Sequence, residues 1–249
     1  MLHSGPRRVV LERAQMILYK IDVAAIAESL NQPFEMVHIA RVDHFGVYLY
    51  LCEGAVAKHR HHTQDELFYV HTGGMALSTE WGEATLHARE ASVVPRGVSH
   101  VSASLGHERT VVMFFRAQGE PEKSNGHGRI SAPANGTSLP KWTIEAEARC
   151  LETPLVPRDL LHVDEMSLRI TWIRDRTPWH LHEAHDELLY VEEGLLDVET
   201  GMGKLTLGQG ELLVVPRKTM HRLGASLTAI SLSFIHASVG GAAHMGLLD

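Results

Sequence analysis

HRHHTQDELFYVHTG occupies residues 59–73, and HLHEAHDELLYVEEG occupies residues 180–194, 121 residues further along the chain. Eight of the fifteen positions are identical. The same offset carries Pro95 onto Pro216, Arg96 onto Arg217, His100 onto His221 and Val42-Asp43 onto Val163-Asp164. A register held without a gap from the forties to the early hundreds marks a duplicated folding unit, and each copy has an ordinary domain size of roughly a hundred residues.

Outward from the repeat, the local signals are strands. GVYLYLC (46–52), ELFYV (66–70), ASVVP (91–95) and TVVMFF (110–115) are short β-branched or aromatic runs between turn residues. SLRITWI, ELLYV, ELLVVP and AISLSF repeat them in the second half. The expected class is all-β, with two barrels in tandem because closure hides the edges of such short strands. The expected division is 1–117 for an N-terminal segment plus first barrel (core about 36–117), 118–140 for a Gly-, Pro- and Ser-rich linker, and 141–249 for the second barrel. KIDVAAIAESL (20–30) predicts a short amphipathic helix with Ile21, Ala25 and Ile26 on one side.

A hydrophobic share of 44% over 249 residues suffices for packed cores. A net charge of -7 without long acidic runs argues against a nucleic-acid surface. Charge interrupts every apolar run in residues 1–20, and no stretch approaches the roughly 18 apolar residues of a membrane span, so a cytoplasmic protein without membrane or nucleic-acid partners is expected. Cys52 and Cys150 form no CxxC pair and read as small hydrophobes or bystanders.

The eighteen histidines raise the question of whether they are placed. His59 and His61, one residue apart on a strand, project from one face and can grip one ion. Glu66 opens the next strand on the face of Phe68 and Val70, while Leu67 and Tyr69 take the other. The turn Pro95-Arg96-Gly97 returns His100 to the same interior. Copy two supplies His180, His182, Glu187 and His221. Three imidazoles and a carboxylate suit one divalent transition metal per domain, Fe, Mn, Ni, Co or Zn, and leave positions open for substrate.

The pattern Gly54-x4-His59-x-His61-x4-Glu66-x6-Gly73, then Pro95-x-Gly97-x2-His100, resembles the two motifs of the cupin superfamily. His180-x-His182-x4-Glu187-x6-Gly194 and Gly210-x5-Pro216-x-Lys218-x2-His221 resemble them again. The chain thus looks like a bicupin, which implies two jelly-roll-like (double-stranded β-helix) barrels. It departs from the family at Arg89 and Lys218, where glycine is usual, and at Ser104 and Ala225, where asparagine is common. A non-glycine in a glycine-type turn is strained, so a different turn is expected at Lys218.

The resemblance implies a metal-dependent enzyme acting on a small organic molecule, foremost a dioxygenase-type oxidoreductase, with Glu66 and Glu187 alternating between ligand and proton acceptor. Alternatives are a metal-dependent isomerase or decarboxylase of a sugar or keto acid, and a non-catalytic binding or regulatory cupin. A monomer and a homodimer are both compatible. Phe68, Leu189 and Arg169 are candidate pocket residues, Arg169 for a substrate carboxylate, although a charged strand residue is more often exposed. Asp65 and Asp186 read as turn stabilisers, Tyr69 and Tyr190 as packing residues opposite the metal. His62, His71, His107, His127, His185 and His236 lack copies and read as surface residues or outer partners of the ligands.

Overall fold

The computed structural model describes residues 18–118 and 139–240. Residues 1–17, most of the expected linker and His127 lie outside them. In chain order the first copy contains β1 (Ile21–Asp22), α1 (Val23–Ser29), β2 (Val37–Val42), β3 (Phe45–Cys52), β4 (Glu66–Thr72), β5 (Gly74–Thr79), β6 (Gly82–His87), β7 (Glu90–Val94), β8 (His100–Ser104) and β9 (Thr110–Ala117). The second contains β10 (Lys141–Thr143), α2 (Ile144–Arg149), β11 (Arg158–Val163), β12 (Met166–Arg176), β13 (Glu187–Gly194), β14 (Leu196–Thr200), β15 (Gly203–Leu207), β16 (Glu211–Val215) and β17 (His221–His236). Among the described residues, no helix is long and apolar enough to cross a membrane.

The sheets are antiparallel. Barrel one has the order β10-β7-β4-β9-β3-β2, faced by β6-β5-β8. Barrel two has β1-β16-β13-β17-β12-β11, with β14 and β15 joined through the long β17. The edge strands are exchanged: β1 pairs with β16 of the second barrel, and β10 with β7 of the first. The repeat therefore begins at the strand-helix arm. The helix at 20–30 forms, but Ile21 belongs to β1 and Ala25 is exposed; the buried face is Val23, Ala27 and Leu30, because the arm packs across the neighbouring barrel. The Asp22 side chain accepts from the Ala25 amide at 3.0 Å and caps α1, and the Arg109 guanidinium donates to the Ala27 and Leu30 carbonyls at its other end.

Strand alternation divides three cores. Leu67, Tyr69, Val47 and Phe115 of barrel one pack with Leu168, Ile170, Leu188, Tyr190 and Phe234 of barrel two in one shared core. Phe234 lies 5.4 Å from Phe45 and 4.9 Å from Phe115, and Tyr69 lies 5.6 Å from Tyr190, ring centre to ring centre. The opposite faces build separate interiors, one with Phe68, Val70 and Phe114, the other with Leu189, Val191 and Ile173.

Two hubs join the barrels around a pseudo-twofold axis. The Asp43 amide donates to the Asp186 carboxylate at 3.1 Å and the Asp186 amide to the Asp43 carboxylate at 2.9 Å. The Asp65 and Asp164 amides repeat this reciprocally at 3.1 and 3.0 Å. Asp65 and Asp186 also accept from the Arg96 and Arg217 amides, so they do stabilise those turns, and they clamp the barrels together as well. Nearby, His185 contacts Asp43 at 3.0 Å and stacks on His236 with ring centres 4.0 Å apart. On the far side of the shared core, the buried Glu192 accepts from the Tyr69 hydroxyl at 2.6 Å and from Arg89 Nε at 2.9 Å, and His71 Nδ1 lies 3.2 Å from the Tyr190 hydroxyl. His71, His185 and His236 thus belong to the seam between barrels.

The two departures at glycine sites keep the glycine backbone. Lys218 has φ 64 against 82 for its counterpart Gly97, and both amides bond the carbonyl of the second histidine, His182 at 2.7 Å and His61 at 2.6 Å. The expectation of a different turn at Lys218 is therefore wrong: this hydrogen bond fixes the turn whatever side chain it carries. Arg89, with φ 65 against 79 for Gly210, has a use for its side chain in Glu192.

Candidate metal centres and the cavity of the second barrel

The first and third histidines of each set are directly paired across strands. His59 and His100 exchange backbone hydrogen bonds at 3.1 and 2.8 Å, and His180 and His221 do so at 2.9 and 2.8 Å. The glutamates begin β4 and β13 and point inward, as alternation requires. His59, His61, Glu66 and His100 come together, and so do His180, His182, Glu187 and His221, each set with its four ligating atoms within 4.8 Å of one another. Bonds of about 2 Å to one central ion produce such a spread.

The hydrogen bonds around the rings decide what each cluster can hold. Nδ1 of His59, His100, His180 and His221 faces the carbonyls of Ala57, Val98, Pro178 and Thr219 at 2.9, 3.3, 3.0 and 2.8 Å. A neutral ring that donates from Nδ1 turns its Nε2 lone pair inward. That lone pair then meets another acceptor. His100 Nε2 lies 3.2 Å from Glu66 Oε2, which is buried and has no hydrogen-bond donor among the described residues, and His221 Nε2 lies 3.3 Å from Glu187 Oε2. Only a proton or a metal cation relieves acceptors that face each other, so both clusters fit a divalent transition metal.

Electrostatics in copy two point the same way. Burial pushes the Glu187 carboxyl up, but the His182 and His221 rings at 3.1 and 3.3 Å, when they carry the bridging proton, outweigh it and hold it well below the usual carboxylate range. For His221, burial is likewise outweighed by Glu187, and the ring is raised; burial lowers His180, as it lowers His61 in copy one. An ionised carboxylate among imidazoles is the donor set that a hard or borderline cation requires.

The space beside the two clusters differs. In barrel two, His180, His182 and Glu187 open on a cavity of about 120 Å³ lined by Arg169, Thr171, Ile173, Leu189, Leu223, Ser231, Ser233 and Ile235. In the first sheet, Tyr48 pairs with Phe114 where the second pairs Arg169 with Ser233, and Tyr50 pairs with Val112 where the second pairs Thr171 with Ser231. Phe68 takes the place of Leu189 and lies 5.0 Å from Phe114 and 6.1 Å from His100. Tyr50, Phe68 and Phe114 are each at most 3% exposed, so buried aromatic rings occupy the positions at which Thr171, Leu189 and Ser233 line the cavity of barrel two.

Of the pocket residues expected from sequence, Leu189 and Arg169 line the cavity and Phe68 is packed into the first core. Arg169 is only 6% exposed, so its placement on an outer face does not hold; it is buried because Asp159 accepts from its Nε at 2.7 Å. Sequence reasoning passed over Asp159, Ser231 and Ser233. Cys52 is buried, which pushes its thiol up to about 12, and Cys150 is exposed.

The family model described as "Cupin domain" matches residues 173–236. No curated protein matches the chain in sequence. Among solved structures, salicylate 1,2-dioxygenase from Pseudaminobacter salicylatoxidans superposes with TM-score 0.70 at 11% identity, covering 94% of this chain and 88% of that one. A cupin 2 conserved barrel domain protein from Leptotrichia buccalis gives 0.67 at 11%, covering 89% and 98%, and protein Ylba from E. coli gives 0.62 at 12%, covering 93% and 97%. Identities this low speak for the fold alone. The chain has two barrels of the cupin fold in tandem, a cupin domain is matched in sequence over residues 173–236 of the second, and the two histidine-glutamate clusters fit a bicupin.

Proposed function

We propose that the chain is a metal-dependent enzyme that oxidises a small organic molecule in its second barrel by dioxygenase-type chemistry. The observation that carries this reading is the opening of the His180, His182 and Glu187 cluster onto a part-apolar cavity. The volume of about 120 Å³ is near that of an engineered cavity that takes up benzene. The architecture shared with salicylate 1,2-dioxygenase, one structure of which holds gentisate, supports the choice of oxidation.

A divalent metal, Fe, Mn, Ni, Co or Zn, would supply Lewis acidity there and, where its redox state can change, chemistry with dioxygen. His180, His182, His221 and Glu187 would hold it. The Pro178 and Thr219 carbonyls keep two of those rings in the tautomer that presents Nε2. Ile173, Leu189 and Leu223 exclude water from the bound substrate, which strengthens every polar contact inside. His59, His61, Glu66 and His100 form a second metal centre whose neighbouring volume is closed to substrate by Phe68 and Phe114. Glu187 is then the carboxylate of the working centre, and Glu66 serves binding alone.

The test is oxygen uptake by protein reconstituted with Fe(II), Mn(II) or Ni(II) and offered salicylate, gentisate or catechol. Substrate-dependent uptake that a chelator abolishes is the expected result. Turnover without uptake would move the assignment to an isomerase or decarboxylase. Tight ligand binding with no turnover under any metal would leave a binding or regulatory cupin.

A further inference from the structure

Arg169 is a buried cation with only part of its hydrogen-bonding capacity used. Nε donates to Asp159, whose carboxylate also accepts from the Ser167 hydroxyl. Burial pushes Asp159 up, and those two hydrogen bonds outweigh it and hold the carboxyl below its ordinary range. Asp159 is therefore a positioning residue that fixes the plane of the guanidinium. The two terminal nitrogens make no hydrogen bond among the described residues, and the side chain lines the cavity that holds His180, His182 and Glu187. Ser233 sits directly opposite Arg169 in the β12–β17 register and lines the same cavity. Donors held this way beside a cavity are satisfied best by an acceptor inside it.

We infer that barrel two binds a small monocarboxylic acid, its carboxylate on the terminal nitrogens of Arg169 beside Ser233 and its apolar body against Ile173, Leu189 and Leu223. The inference deepens the proposed function and rests on it only for the choice of cavity. A planar guanidinium with two free donors matches a carboxylate geometrically. Charge selects a monoanion: a divalent metal with Glu187, and Arg169 with Asp159, together leave one positive charge in the pocket. The fold does not impose the feature, since barrel one has Tyr48 and Phe114 at these positions. Its own arginine, Arg116, lies across the Tyr48 and Phe114 rings at 5.6 and 5.8 Å and is the internal rival for an anion.

Calorimetric titration of the full chain reconstituted with Zn(II), using benzoate and its neutral isostere benzamide, decides the matter. Benzoate should bind once per chain and benzamide at least about tenfold more weakly. R169M should bring benzoate down to the benzamide level, R169K should keep part of the difference, and R116M should leave it unchanged. Equal binding of the two probes, no binding of either, or loss through R116M instead of R169M would overturn the inference. The comparison of probes on the unmutated chain stands even where a variant fails to fold. Elemental analysis of the same samples separates the two readings: metal without benzoate preference defeats the carboxylate site alone, whereas preference without bound metal defeats the metalloenzyme alone.

Discussion

Barrel one and barrel two carry the same three histidines and one glutamate on the same strands, yet one surrounds them with Tyr50, Phe68 and Phe114 and the other with Thr171, Leu189 and Ser233. The ligand motif reports what can bind a metal. The inward positions of the three flanking strands report what else fits beside it. These layers vary independently because the ligands are fixed by tight turns and cross-strand pairs at the barrel mouth, while the interior is fixed only by the need to fill volume or to line a cavity.

The strongest way to break the comparison is to remove the ligands one barrel at a time. Alanine at His180 and His182 should abolish turnover, whereas alanine at His59 and His61 should leave kcat/KM within about tenfold of the parent. Metal analysis should show one ion lost in each case. Activity lost equally in both would mean that the barrels work as one unit. Next in size is a transplant of one interior residue. Ser233→Phe, which gives barrel two the side chain of Phe114, should cut kcat/KM by about a hundredfold or more by filling the cavity, with metal content unchanged.

The hubs give a contrast that pH can sharpen. Asp43 has His185 at 3.0 Å, but Asp164 has Arg96 only at 3.7 Å and a buried Oδ1 without a hydrogen bond among the described residues. Burial, reinforced by Asp65, raises the Asp164 carboxyl from 3.8 to about 7. The folded state then holds this proton more tightly than the unfolded chain does. The stability it confers is complete below the unfolded value and is lost as pH rises through about 7. Thermal unfolding followed between about pH 5 and pH 8 should show a steeper decline in the parent than in Asp164→Asn. Parallel profiles would remove Asp164 from the account.

The smallest effects concern Arg89 and Lys218, the two left-handed residues that stand where the other copy has glycine. Arg89→Gly relaxes the backbone but deprives the buried Glu192 of its guanidinium, and should cost about 2 kcal/mol. Lys218→Gly relaxes the same conformation with no buried partner lost and should stabilise by about 0.5–1 kcal/mol in denaturant titration. Opposite signs are the expected result. A loss at both would show that the lysine side chain has work at its turn.

Where a strand's own periodicity sets the outcome, the structure was legible in the sequence. The inward direction of Glu66 and Glu187, the pairing of each HxH with a later histidine, and the outward direction of Tyr69 and Tyr190 all follow from alternation. What could not be read depends on distant pairing. β1 and β10 are two and three residues long, too short for a periodic signal, and each finds its partner in the other half. The burial of Arg169 was hidden for a related reason. Counting back from the Asp164-Glu165 turn places Leu160 opposite Arg169, but a register shift between Asp159 and Leu161 brings Asp159 there instead. The plug in barrel one needed the register of β3, β4 and β9 together before Tyr48, Phe68 and Phe114 could be seen to share a space.

The exchanged arms bear on how such a chain arose. Ile21–Asp22 complete the sheet of the second repeat and Lys141–Thr143 that of the first, so neither repeat finishes its own barrel. A single-copy ancestor built on this plan satisfies its sheet edges only as a symmetric pair of subunits trading N-terminal arms. Gene duplication and fusion make that trade intramolecular and free it from protein concentration. Symmetry ends at the same moment. Identical subunits must accept every substitution twice, but fused halves mutate singly, and one interior is released to harden into packing while the other keeps its room for a guest.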